Sequence, residues 1–193
     1  MQRFRGAPTR PRRPLPSALS HLALPIALGA GLGRDTVPGR LLAAGAAASV
    51  LPDLDVVGLR LGIPYASALG HRGATHSLLF AAALALLSAW RHRDLGAAPA
   101  TAFGFVLVAG ASHGLLDALT SGGLGVALLW PLSPERLFAP VRPIRVAPLT
   151  VRALAAHGPA VLSSELRWIW LPAALLAVGL KAGVAVQRAR APS

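Results

Sequence analysis

Cysteine is absent from this chain of 193 residues, so neither disulfides nor thiolate metal ligands are available. Charged residues are scarce as well, because they make up 13% of the sequence, against roughly 25% in an average soluble domain. Aromatic residues contribute only 5%. An ordinary water-soluble domain is therefore a poor description of the chain.

The charges that are present are mostly positive, with nineteen Lys and Arg against seven Asp and Glu and a formal net charge of +12. Such a balance raises the question of nucleic-acid binding. The arginines are scattered between apolar segments, however, and no aromatic stacking platform or recognisable binding module accompanies them. We expect no nucleic-acid partner, because arginines that flank membrane spans explain the charge better.

Apolar residues dominate the chain, at 54% of the sequence with a mean hydropathy of +0.57. They are mostly Ala, Leu, Val and Gly, the mixture of close-packed helices in lipid. Because a helix needs about 20 residues to cross the hydrocarbon, the second and third apolar segments are short. The pattern predicts an all-α, polytopic membrane protein with about four to five transmembrane helices, over the apolar segments 15–33, 37–52, 76–90, 98–120 and 166–186.

Composition divides the chain into four parts. We predict a basic, disordered extension over 1–14, a helical membrane domain over 15–120 and a C-terminal transmembrane helix over 166–187. Between them, the Pro-, Gly- and Arg-rich segment 121–165 predicts a loop, in the cytoplasm or at headgroup level through Trp130 and Phe138. A cleaved secretory signal at the first segment is an alternative, although His21 and Pro25 interrupt its apolar run.

Arginine placement predicts the orientation of the spans. Five of the first thirteen residues are arginine, which favours a cytoplasmic N-terminus. Counting crossings from that end puts every polar cluster of the chain on the cytoplasmic face. The count puts Arg188 and Arg190 outside, which the same rule disfavours, so the last crossing has the weakest support.

The polar clusters consist of His and Asp in a chain with only six His and five Asp. His113 and Asp117 are four residues apart, so a helix projects both from one face. Together the motifs suit a divalent metal, zinc or manganese, as one ion or two. The predicted ligands are His21, Asp53, Asp55, His71, His76, His113 and Asp117.

Each motif also has a structural interpretation. An Asp that follows Pro at a helix end is usually a turn or cap residue, and Thr75 and Ser77 could simply cap the helix that follows them. Ionisable residues in apolar segments are nevertheless functional candidates by default. Because these residues occur as a set at compatible helix ends, we favour metal binding.

The strings "LPDLD", "GHRGATHSLL" and "SHGLLDALTSGGLGVALLWP", with "SHLALPIALG" before them, resemble the YdjM-like family of bacterial inner-membrane proteins. Members are described as predicted metal-dependent hydrolases and some as LexA-regulated. The resemblance covers roughly residues 18 to 145 and implies the same seven His and Asp as the polar set. Glu165 matches a family acidic position in this comparison, but a charge at a helix start explains it equally well.

The resemblance implies metal-assisted hydrolysis, in which bound metal lowers the pKa of a water toward neutrality. His76 and Asp117 are the candidate acid–base groups, and Arg72 could clamp a phosphate bidentately. Arg142 and Arg145 could contribute if their loop folds back. A site at headgroup depth suggests a phosphoester on a phospholipid or a lipid-linked molecule.

Two other functions fit the same residues. A divalent-metal transporter or sensor would use His and Asp, although transporters hold ions near the bilayer midplane and these motifs lie at helix ends. A non-catalytic membrane protein with a structural metal site is the second alternative.

The predicted topology can be tested with reporter fusions. We expect fusions at Tyr65 and Arg145 to report a cytoplasmic location and a fusion at Asp94 an external one. Tyr65 and Arg145 on opposite sides would mean that the four motifs cannot share a site.

Overall fold

The computed structural model describes residues 19–146 and 151–190, and within 151–157 only the backbone. The predicted extension 1–14 lies outside these residues. Throughout the described part the chain is helical, and its only β-type pairing consists of two isolated bridges, Thr120 with Ile144 and Val126 with Leu137.

The helices alternate with short turns. The 3-10 turns are Ser20–Leu22, Leu51–Asp55 and Ala74–His76, and a π-helical turn spans Leu166–Trp170. The helices are α1 Ala23–Leu32, α2 Gly39–Val50, α3 Val56–Arg60, α4 Leu78–Trp90, α5 His92–Leu95, α6 Pro99–Ala118, α7 Val151–Glu165 and α8 Leu171–Arg190.

Three helical runs are long and apolar enough to cross a membrane, namely Gly39–Arg60, Pro99–Ala118 and Gly158–Arg190. Two shorter apolar helices, Ser20–Leu32 and Leu78–Trp90, accompany them. At 1.5 Å per residue the shorter pair extend only about 20 Å, less than the roughly 30 Å of hydrocarbon. These five apolar helices confirm the predicted fold class of a polytopic helical membrane protein.

The loop predicted over 121–165 is wrong in its last part, because α7 is already helical from Val151. The prediction gave weight to the Gly and Pro of "RALAAHGPAVLSSE" rather than to its Ala and Leu, which are strong helix formers. Pro159 lies inside the helix, where membrane helices tolerate proline more readily than soluble ones.

Helix α6 is the centre of the bundle and packs against α2 and α4. Side chains at these contacts are small, and Phe105 is the largest member of the buried cluster between them. Helix α1 packs against α8 and the π-helical turn before it through Ala23, Ala27, Ile169 and Ala173. Small residues let helix backbones approach closely where no hydrophobic effect drives association.

The ends of the helices bring the polar motifs to one end of the bundle. Helices α1 and α4 begin there, α6 ends there, and the α2–α3 run approaches it. The two segments that cover this end, 61–77 and 119–146, are joined by a hydrogen bond of 3.0 Å from the amide of Ala127 to the carbonyl of Arg72. At the opposite end, the Arg40 guanidinium donates to the Asp94 carbonyl. Which end faces the cytoplasm remains a prediction.

The contact of α1 with α8 provides a stability test. A Cβ on Gly31 would lie 2.9 Å from the Ala177 carbonyl oxygen, whereas a Cβ on Gly179 would meet nothing within 4 Å. We expect Gly31→Ala to lower the free energy of unfolding by about 1–3 kcal/mol because the helices must move apart. Gly179→Ala, the control, should be neutral or slightly stabilising. Thermal unfolding in detergent measures both; an unchanged Gly31→Ala would contradict the close packing.

Candidate metal centre

The structure brings the seven predicted His and Asp side chains together at the covered end of the bundle. They come from four elements that are distant in sequence, and nearly all of their surface is buried. His21 lies in the turn before α1, Asp53 and Asp55 lie in the turn after α2, His71 and His76 lie in the loop before α4, and His113 and Asp117 lie near the end of α6.

Four of these residues form an inner group in which one ligand atom from each lies within 4.8 Å of the others: Asp53, His76, His113 and Asp117. The Nε2 atom of His76 is 3.7 Å from an Asp53 oxygen and 3.4 Å from an Asp117 oxygen. The Nε2 atom of His113 is 3.5 Å and 3.9 Å from the same two carboxylates.

His21 completes this inner group. Its Nε2 atom is 3.9 Å from Asp53 and 3.7 Å from Asp117, and its ring stacks on the ring of His113 with the centroids 3.8 Å apart. Five side chains therefore direct nitrogen or oxygen atoms toward one buried volume.

The separations in the inner group fit a shared cation better than direct hydrogen bonds. Hydrogen bonds between these atom types are 2.7–3.2 Å long. Among the described residues, the three Nε2 atoms have no hydrogen-bond partner, and the Asp117 oxygens have none beyond the ion pair of one of them with Arg72. Buried polar atoms without partners are costly. Tetrahedral ligands about 2.0–2.2 Å from one ion lie roughly 3.3–3.6 Å apart, close to the observed distances. The donor set therefore fits a divalent metal.

The environment of His113 orients its ring for this role. Its Nδ1 atom is 2.8 Å from the Ser49 carbonyl oxygen, an acceptor that requires a proton on Nδ1. The lone pair is then on Nε2, which faces the inner group. A backbone carbonyl that holds the second ring nitrogen is a common support for a metal-binding histidine.

Asp55 and His71 form a second group with His76, and in it the carboxylate is already hydrogen-bonded. One Asp55 oxygen is 2.6 Å from Nδ1 of His71, and the other accepts from Thr75 Oγ1 at 2.6 Å and lies 3.2 Å from Nδ1 of His76. This arrangement places Asp55 behind the histidines, where carboxylates commonly orient metal-binding imidazoles.

His76 is shared by the two groups and carries a perturbed pKa. Burial lowers the pKa of its imidazole, but the nearby carboxylates of Asp117, Asp53 and Asp55 outweigh burial and raise it to about 10. A cation bound at His76 therefore takes the place of a proton at neutral pH.

Arg72 lies fully buried behind Asp117, with its Nε atom 3.1 Å from an Asp117 oxygen. One terminal nitrogen donates to Thr120 Oγ1 and to the Gly122 carbonyl at 3.1 and 2.9 Å. The other terminal nitrogen has no hydrogen-bond partner among the described residues. In this conformation Arg72 offers one free nitrogen, and not the two that a bidentate phosphate clamp needs.

The backbone around Arg72 is sharply turned. Arg72 has a φ of 63°, a left-handed conformation that is unfavourable for a residue with a side chain. A Cβ on Gly70 would lie 2.2 Å from the Pro64 carbonyl oxygen, and one on Gly73 would lie 2.2 Å from that of Ala68. Only glycine fits these two positions, so the "GHRG" string builds the turn that buries His71 and Arg72.

Arg136 supports the site and was missed by the sequence analysis. Its guanidinium donates to the carbonyls of His71, Tyr65 and Ser67, each at 3.0 Å, and burial lowers its pKa. Because Arg136 is far from these residues in the sequence, no spacing could reveal the contact. Ser49, whose carbonyl accepts from His113, was missed for the same reason.

Other predictions at the site need correction. Ser77 caps α4 by accepting from the Phe80 amide, which confirms the structural interpretation of that residue. Thr75 does not cap a helix, because its hydroxyl donates to Asp55. Glu165 is buried where α7 continues into the π-helical turn of one helical run, Gly158–Arg190, so no free helix start lies there for its charge to stabilise. Arg142 and Arg145 are exposed, so their loop does not carry them into the buried cluster.

Comparison with known proteins identifies the family of the chain. The family model for the YdjM inner membrane protein matches residues 17–189. Inner membrane protein YbcI of Escherichia coli (strain K12) is 44% identical over 164 residues, which cover 84% of this chain and 95% of that protein. No solved structure matches the chain. The chain therefore belongs to the YdjM family of inner membrane proteins.

Proposed function

We propose that this protein is a membrane-bound, metal-dependent hydrolase that acts on a phosphoester of a lipid or lipid-linked molecule. The observation that carries the proposal is the convergence of three imidazoles and two carboxylates, buried and largely without hydrogen-bond partners, beside a buried arginine. Structural packing alone gives no reason to bury so many polar atoms in a bundle of this apolar composition.

The donor set favours zinc or manganese, because imidazole suits zinc-like ions and carboxylates also accept manganese. The proposed ligands are His21, Asp53, His76, His113 and Asp117. We propose one ion per chain, since both oxygens of Asp55 in the second group already accept hydrogen bonds.

A bound ion of this kind supplies a water of lowered pKa and polarises a phosphoryl oxygen. Within the chain, His71 is the best-placed group for proton transfer. Asp55 holds its Nδ1 atom at 2.6 Å, and its buried Nε2 atom has no hydrogen-bond partner among the described residues. A histidine oriented by a carboxylate is a common general acid or base. His76 and Asp117, the earlier candidates, would instead hold the ion.

Arg72 would bind the substrate through its remaining terminal nitrogen. Because its Nε atom already contacts Asp117, that nitrogen lies near the proposed metal ligands. We propose that it donates one hydrogen bond to a phosphoryl oxygen and stabilises the charge that develops there.

A structural metal site is the alternative that one observation favours. Apart from Asp53, whose side chain is 13% exposed, the donor side chains have almost no exposed surface, and closed coordination is typical of structural ions. Metal binding without turnover of any phosphoester would support this alternative. Uptake of the metal into vesicles would support the transporter.

The division between ligands and proton-transfer group predicts different effects for two histidines. His113→Ala should lose most of the bound metal, because an incomplete coordination sphere binds weakly. His71→Ala should keep the metal and lose hydrolysis by roughly a hundredfold to ten-thousandfold. Elemental analysis of protein purified without a polyhistidine tag, together with a phosphoester substrate panel, measures both properties.

The control for this pair is His92→Ala, which alters a histidine at the opposite end of the bundle and should change neither property. Normal metal content in His113→Ala would remove His113 from the ligand set. Equal metal loss in His71→Ala would make His71 a ligand.

A conservative change tests Arg72. Arg72→Lys should keep the metal but reduce hydrolysis about tenfold to a thousandfold, since one ammonium cannot contact Asp117, Thr120 and a phosphoryl oxygen in the planar geometry of a guanidinium. Arg93→Lys, the same change at an exposed arginine outside the site, serves as the control. Full activity in Arg72→Lys would exclude Arg72 from substrate binding.

A further inference from the structure

Among the five side chains of the inner group, that of Asp53 has the largest exposed fraction. Asp53 is 13% exposed, whereas the His113 and Asp117 side chains have no exposed surface. In the turn Leu51–Asp55, the residue before Asp53 is buried Pro52 and the residue after it is Leu54, which is 61% exposed. Asp53 therefore lies at the border between the buried face of this run and an exposed apolar face.

The exposed face beside Asp53 belongs to the membrane-spanning run Gly39–Arg60. Leu51 and Val57, on either side of Asp53 along the chain, are also exposed. A polar molecule from water would have to pass these side chains, whereas a molecule resident in the bilayer reaches them by lateral diffusion. The approach to the site thus favours an amphiphile.

An apolar groove of about 330 Å³ begins beside this approach. Ala44, Ala47 and Leu51 line one wall, and Leu84 and Leu87 of α4 line the other. Leu51 precedes Asp53 by two residues, and the groove runs from there toward Arg91 at the far end of α4. The distance from Leu51 to Ala44 is about 10 Å along the helix.

The lining of the groove is chemically suited to a hydrocarbon chain. Its polar side chains already have partners within the protein. The Ser88 hydroxyl donates to the Ala85 carbonyl at 2.7 Å, and Arg91 and Asp94, at the far end, form an ion pair with each other. Because lipid tails are as apolar as this lining, a chain gains little hydrophobic free energy by entering. The groove would instead orient the polar head relative to the metal-binding side chains, and correct orientation alone can raise a reaction rate strongly.

We propose that the groove holds the hydrocarbon chain of a membrane-resident phosphoester, whose head enters past Asp53 to reach the metal centre and Arg72. This inference rests on the proposed function and adds the subsite that holds the chain of the substrate and the direction from which the substrate enters. The substrate is a long-chain amphiphile that enters sideways from the bilayer.

Filling the groove tests the proposal. Ala47 is exposed and lines the groove, so Ala47→Phe should fold normally and obstruct the chain. We expect kcat/KM for hexadecyl phosphate to fall roughly tenfold to a hundredfold through misplacement of the head. The value for butyl phosphate should stay within about twofold, since a short chain does not need the groove. Ala174→Phe, the same change at an exposed position of α8, should leave both values unchanged.

A second readout does not depend on turnover. Metal-loaded protein in phosphatidylcholine vesicles would be irradiated with hexadecyl phosphate carrying a diazirine at the end of its chain, and the labelled residues mapped by mass spectrometry. Labelling should concentrate on the groove residues of α2 and α4. Ala47→Phe and His113→Ala should each abolish it, and Ala174→Phe should retain it.

The outcomes separate this inference from the proposed function. Groove labelling without hydrolysis of either ester would support the inference and overturn the hydrolase. In another outcome, Ala47→Phe leaves the hydrolysis of both esters unchanged and the labelling spreads evenly over the lipid-facing helices. The groove would then hold bulk lipid only. That result would overturn the inference and keep the hydrolase.

Discussion

The cost of burying polar groups without partners governs this structure. Two carboxylates and three imidazoles face one another inside an apolar bundle, at distances of 3.4–3.9 Å that are too long for hydrogen bonds. Such groups destabilise a fold unless something compensates them. The guanidinium of Arg72 compensates part of the negative charge, and the proposed divalent cation would compensate the rest.

The surrounding architecture keeps these groups in place. Four elements converge on one end of the bundle, and the loops that cover it are joined to each other by Arg136 and by the backbone of Arg72. Gly70 and Gly73 allow the turn between them to close. Behind the donors, Asp55 and the Ser49 carbonyl fix the ring nitrogens of the histidines. These contacts hold the donor atoms in place before an ion binds, as the proposed hydrolysis would require.

Sequence patterns predicted the membrane class, the apolar helices and the seven polar residues, because helical spacing and hydropathy are local properties. The i, i+4 pair of His113 and Asp117 is the clearest case. The division into ligands and supporting residues could not be predicted, since it depends on which nitrogen of a ring meets which oxygen across the bundle. Arg136 and Ser49 act through backbone contacts that leave no signature, and α7 was missed because its Pro and Gly outweighed its Ala and Leu in the prediction.

X-ray absorption spectroscopy of the zinc-loaded, tag-free protein tests the central claim most directly, because it reports the atoms that surround the ion. The account predicts a shell of four or five nitrogen and oxygen ligands at about 2.0–2.2 Å, with the multiple-scattering signature of three imidazoles and no sulfur. In the His113→Ala variant the signature should fall to two imidazoles in whatever metal remains. A shell of water oxygens without imidazole scattering would contradict the account.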